Sequence, residues 1–152
     1  MDRGTSLAEA NVNRTATLAG TSIAIFTFLL FFLYPRYEDA RINPMLFQSA
    51  LMVIGLAIFG FVFAGLYYYL VTVPWPAKSL KPLGYLRTGD LFWFLGFSLL
   101  LVEPSLILFT VGLLFVAWGW FGLWVLYMFF NLREFGKYRK RNLEGYGFAG
   151  PR

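Results

Sequence analysis

The chain has no cysteine and no histidine. Disulfides, thiol nucleophiles, zinc or haem ligation through sulfur or imidazole, and imidazole proton relays are therefore excluded. Without cysteine the redox compartment cannot be read either. Charge is also scarce: charged residues make up 14% of the chain, against about 25% in ordinary soluble domains. No nucleophile–base pair, paired-carboxylate site, phosphate-binding glycine loop or metal-ligand cluster can be assembled from what remains. The reading therefore leans against an enzyme and expects no metal and no cofactor.

What is present is apolar. Hydrophobic residues make up 59% of 152 residues, and 18 of the residues are Phe, a side chain at home against acyl chains. A soluble domain of this size could not bury that excess, so lipid must cover it. The clearest stretch is Leu91–Asn131, where Glu103 is the only Asp, Glu, Lys or Arg. A polar segment, Met1–Asn13, precedes the first apolar run, and Tyr34-Pro35-Arg36 follows it in place of a small-residue cleavage site. That run is thus expected to be a retained span, not a signal peptide.

The expected fold is an all-α integral membrane protein: a single transmembrane domain, 1–152, built as a four-helix bundle. Ala16–Tyr34 is the first span, at about the length a bilayer core needs. Asn43-Pro44 predicts an N-cap followed by proline at the first helical position, opening a second span over Met45–Val71. Prolines and glycines over 73–89 break the pattern, with Pro74-Trp75-Pro76 extended and Trp75 as an interfacial anchor.

Leu91–Asn131 can be divided in two ways. In the first, Asp90 caps a helix ending near Glu103, Glu103-Pro104-Ser105 turns, and Leu106–Asn131 returns, giving spans of about 90–103 and 105–131. In the second, two helices of equal length turn at Thr110-Val111-Gly112, and Glu103 lies inside the membrane on a proline-containing helix. The first is preferred, because proline favours a helix start and polar residues favour a turn. Residues 132–152 form a basic tail.

Lys and Arg are distributed unevenly over these segments. Grouping the N-terminal segment, the middle loop and the C-terminal tail on one side gives eleven against two. The positive-inside rule then predicts both termini in the cytoplasm.

Four groups of residues are candidates for function. Glu103 is the candidate coupling acid: a carboxyl at membrane depth costs roughly 2.5–3.5 kcal/mol on insertion scales, so it is a functional hypothesis by default. In the preferred division it sits in a wet outer turn instead. Ala16, Gly20 and Ala24 repeat every four residues, and Gly60 and Ala64 do the same in the second span. Such stripes of small side chains let helices approach closely. Thr17 and Thr21 flank the first stripe. Arg133, Lys137, Arg139, Lys140 and Arg141 follow the last span and are candidate headgroup contacts. Trp118, Trp120 and Trp124 crowd the last span, with Trp120 and Trp124 on one face; buried indole N–H groups there need partners. Arg14 precedes the first span and is expected to snorkel.

The leading functional expectation is a non-enzymatic accessory, scaffolding or assembly subunit acting through helix–helix contacts. The alternative is a small homo-oligomeric transporter or channel, with Glu103 as coupling or gating acid and Thr17, Thr21 and Ser98 along the path. A weaker reading is a lipid-modifying or quinone-binding protein using the Trp-rich span. Expected partners are the lipid bilayer, other membrane subunits or a second copy of the chain; nucleic acid is not expected.

Overall fold

The computed structural model describes residues 3–36, 42–73 and 82–145; side chains are described within 7–35, 42–73 and 84–133. Trp75 and its flanking prolines, Lys78, Lys81 and the last residues of the tail lie outside this range.

The described chain is all-helical, with α1 (Arg3–Phe28), α2 (Pro44–Thr72), α3 (Pro82–Thr110) and α4 (Leu114–Gly145). Four helical stretches are long and apolar enough to cross a membrane: Leu7–Leu33, which runs past the end of α1, Pro44–Thr72, Gly84–Thr110 and Leu114–Arg133. The polar N-terminal segment does not separate from the first span. α1 runs unbroken from Arg3, then loosens at Leu29–Leu33 into one π-helical turn closed by the Tyr34 N–H on the Leu29 carbonyl.

α2 starts where Asn43-Pro44 predicts. The Asn43 side chain accepts from the amides of Met45 (3.1 Å) and Leu46 (3.3 Å), satisfying two donors that the helix itself cannot. Apart from Gly60, its buried residues, Phe47, Ala50, Ile54, Ala57, Phe61, Ala64 and Tyr68, alternate steps of three and four. On α1, Ala8, Thr15, Ala19 and Ser22 are buried and Val12 and Phe26 half-buried, and the series continues to buried Leu29 in the π-helical turn. This is the spacing of knobs-into-holes packing. The three buried apolar clusters draw only on α1, α2, α3 and the residues flanking α1 and α2. α4 lies along α3; of its described side chains only Ala117 is buried.

The turn between α3 and α4 corrects the preferred division of Leu91–Asn131. α3 does not end at Glu103 but continues through Pro104 to Thr110. Spans of 90–103 and 105–131 are thus replaced by helices Pro82–Thr110 and Leu114–Gly145. The stop is set by Gly112, at φ +82°. The Leu113 amide bonds the Leu108 carbonyl (2.9 Å) and the Gly112 amide the Phe109 carbonyl (3.2 Å). That pair of bonds around a left-handed glycine is a Schellman stop, which satisfies carbonyls otherwise left open. An internal proline removes one helical bond, here that to the Leu100 carbonyl, and nearby carbonyls of α3 receive side-chain donors from α4, as described below. Asp90 is likewise not a cap: it lies inside α3 and is buried.

A buried carboxyl between two apolar clusters as the candidate functional site

Glu103 sits on the inward stripe of α3 and is only 3% exposed. Its Oε1 is buried and has no hydrogen-bond partner. Leu100, one turn earlier, packs on the cluster of Ala19, Ala57 and Phe61. Ile107, one turn later, packs on the cluster of Leu29, Ile42 and Phe47. Glu103 thus falls between two apolar layers. In the same interval α1 buries Ser22, and α2 buries Ala50 and Ile54. Counted along the helix, Glu103 is about 10 Å from the end of α3 at Thr110.

The polar side chains in this interval are already engaged. Ser22 Oγ donates to the Leu18 carbonyl (2.9 Å) and Ser105 Oγ to the Val102 carbonyl (2.6 Å), each within its own helix. Among the described residues no group of three or more Asp, Glu, His or Cys could hold a metal ion.

The turn of α3 before Pro104 is read by α4. Trp120 Nε1 donates to the Leu101 carbonyl (2.8 Å), and Trp124 Nε1 donates to the Ser98 carbonyl (3.0 Å). These two indoles share a face of α4 at a spacing of four, which aligns both with α3. Trp118 instead meets Phe109 edge-on, 5.4 Å between ring centres. Trp120 and Trp124 therefore pair α4 with α3, and the partners their N–H groups need are main-chain oxygens.

A second polar site lies near the other end of α3. Tyr68 Oη donates to Asp90 Oδ1 at 2.6 Å, both residues being buried. Arg14 does not extend freely: its guanidinium lies over the Trp93 ring, 4.5 Å from the centre. This cation–π contact ties α1 to α3. Asp90 and Glu103 are thirteen positions apart, about 20 Å of helix.

The small-residue positions divide. Gly60 and Ala64 are buried in the core. Gly60 faces Gly96, a partner that sequence spacing did not single out. Ala16, Gly20 and Ala24 are exposed, and a Cβ on Gly20 would meet nothing within 4 Å. Thr17 and Thr21 are exposed too, donating back to the Asn13 and Thr17 carbonyls (both 3.0 Å). Ser98 is buried. Thr17, Thr21 and Ser98 are therefore not brought together in one chain. Arg133 is exposed, with its guanidinium 5.6 Å from the Phe129 ring centre. Lys137, Arg139, Lys140 and Arg141 continue α4, their side chains lying outside the described range.

No protein-family model, no curated protein and no solved structure matches this chain.

Proposed function

We propose that the chain is a multi-pass membrane protein that serves as a non-enzymatic assembly or scaffolding subunit, binding another transmembrane helix through the outer face of α1. The observation that carries this reading is the outward stripe of Ala16, Gly20 and Ala24, all exposed and with open space over Gly20. In lipid there is no hydrophobic gain from pairing two apolar helices, so close backbone approach at small residues is what drives association. Thr17 and Thr21 beside the stripe keep an acceptor lone pair for a neighbouring helix while bonded to their own carbonyls. α4, with large apolar side chains such as Phe115, Trp118 and Leu123 facing outward, supplies the lipid-covered side.

The bilayer is the first partner. Eleven of the thirteen Lys and Arg group on the side of the two termini, which favours a cytoplasmic location for both. Arg133, Lys137, Arg139, Lys140 and Arg141 would then meet the inner headgroups.

Glu103 favours a second reading, a small homo-oligomeric transporter or channel in which it is the coupling or gating acid. Its inward burial suits that role. The separation of Thr17 and Thr21 from Ser98 does not, because a path lined by them would need surfaces from more than one chain.

The test of the leading reading uses single cysteines in a chain that has none. Gly20→Cys and Ala24→Cys, treated with a short thiol cross-linker in native membranes, should join α1 to a second transmembrane helix. Gly20→Leu should abolish that association in mild detergent. A monomer by mass, with no cross-link from either position, would overturn the proposal.

A further inference from the structure

We propose that Glu103 is a proton-binding site: a carboxylic acid that keeps its proton inside the bundle and gives it, as a hydrogen bond, to the Leu100 carbonyl that Pro104 leaves without a helical donor. This inference is independent of whether α1 binds a partner.

The first ground is what surrounds the carboxyl. Glu103 is 3% exposed, and Oε1 has no partner. The apolar layers built on Leu100 and Ile107 close it off along the bundle axis. Among the described residues the opposing segments carry no countercharge at that level. α2 has no Asp, Glu, Lys or Arg from Pro44 to Thr72, and its tyrosines, 67–69, begin thirteen positions beyond Ile54, about 20 Å away. On α1, Arg14 is eight positions before Ser22, about 12 Å along the helix, and is engaged with Trp93. On α3 itself, Asp90 and Arg87 are farther still. On α4, the titratable Tyr127 packs its ring on Phe97 (6.1 Å), and Arg133 lies beyond it. Among the described residues an ionised carboxylate here would have no cation beside it, and a buried charge in that position is strongly disfavoured. A proton is the one cation that needs no further ligands, and no multi-ligand cluster is present among the described residues.

The second ground is the main chain. Proline has no N–H, so Pro104 cannot bond the carbonyl four residues earlier, that of Leu100. The neighbouring carbonyls have side-chain donors: Leu101 takes Trp120 Nε1 and Val102 takes Ser105 Oγ. The Leu100 carbonyl lies one turn before Glu103 on the same stripe. A protonated carboxyl supplies one O–H donor, and the Glu103-Pro104 pair places that donor and the acceptor opened by Pro104 on the same turn. Buried polar main-chain groups are nearly always paired, and this pairing satisfies both.

The test is infrared spectroscopy on the full chain in lipid vesicles at neutral pH. Wild type should show a protonated-carboxyl C=O stretch that is missing from Glu103→Gln, a change that keeps the side chain's size and polarity. In Pro104→Ala the restored amide competes for the Leu100 carbonyl, and the stretch should move toward that of a free acid. No such band in wild type would overturn the proposal. An unshifted band in Pro104→Ala would overturn the choice of acceptor.

A second measurement needs no variant. A hydrophobic carbodiimide added to the vesicles takes the acid proton onto one nitrogen while the carboxyl oxygen bonds its central carbon. Acyl transfer from oxygen to the other nitrogen then leaves a stable N-acylurea, with nothing expelled. The adduct should map by mass spectrometry to the peptide containing Glu103. Its absence there, with modification of the added carbodiimide's other carboxyl targets, would count against a protonated Glu103.

Discussion

Gly60 of α2 and Gly96 of α3 meet main chain to main chain. A Cβ on Gly60 would lie 3.0 Å from the Gly96 Cα and 3.3 Å from the Phe92 carbonyl oxygen. A Cβ on Gly96 would lie 3.1 Å from the Ala57 carbonyl oxygen. The nearest atoms are backbone in both cases, with the Phe61 ring also 3.2 Å from a Cβ on Gly96, so a rotamer change alone does not relieve the contact. This contact is what lets α3 bring both Glu103 and Asp90 against α2 and α1.

Gly60→Ala and Gly96→Ala should therefore each destabilise the bundle by about 1–3 kcal/mol, the usual cost of overpacking. Gly20→Ala, with open space above it, should be neutral or gain up to about 1 kcal/mol from helix propensity. Unfolding in mixed micelles measures all three. Equal effects at Gly20 and Gly60 would mean that the outer stripe of α1 is packed after all.

Tyr68→Phe removes the 2.6 Å hydrogen bond to Asp90 from a buried site. A loss of about 1–3 kcal/mol is expected, because the acceptor left behind is desolvated. Tyr69→Phe is the control, since Tyr69 is exposed and should cost little. Comparable losses from the two would remove Asp90 from the structural account.

Trp120→Phe and Trp124→Phe keep the ring and delete the N–H donated to α3. Each should weaken the α3–α4 pair by about 0.5–1.5 kcal/mol. Hydrogen exchange should rise over 98–105 on α3 as well as on α4. Trp118→Phe, which retains the edge contact with Phe109, should leave those amides as protected as in wild type.

The turn position predicts accessibility. Val111→Cys should react rapidly with a membrane-impermeant thiol reagent from the side opposite the termini, and Glu103→Cys should not. Rapid labelling at both would return Glu103 to the aqueous turn and leave the proton-binding proposal without its buried site.

Four apolar stretches, the all-helical class and the N-cap at Asn43 follow from the sequence because they are local. Hydropathy over some twenty residues and a capping side chain two or three residues from its donors need no knowledge of the rest of the chain. Proline and the polar residues beside it favour a turn at 103–105 locally, but Gly112 competes with them. A glycine can take the left-handed conformation of a Schellman stop at no steric cost, and that signal was present in the sequence.

What only the tertiary structure decided are relations between helices. Gly60 and Gly96 are alike to Gly20 and Gly55 as letters, and only the packing of α2 on α3 distinguishes them. Two of the donors that take up carbonyls before Pro104 come from Trp120 and Trp124 of another helix, which follows α3 through the Schellman turn. Most of all, the burial of Glu103 depends on which face of α3 is turned inward. A helix as apolar as α3 carries hydrophobic residues on nearly every face, so its sequence does not mark the inward stripe. Packing against α1 and α2 marks it, and with it the difference between a carboxyl in water and one enclosed by two apolar clusters.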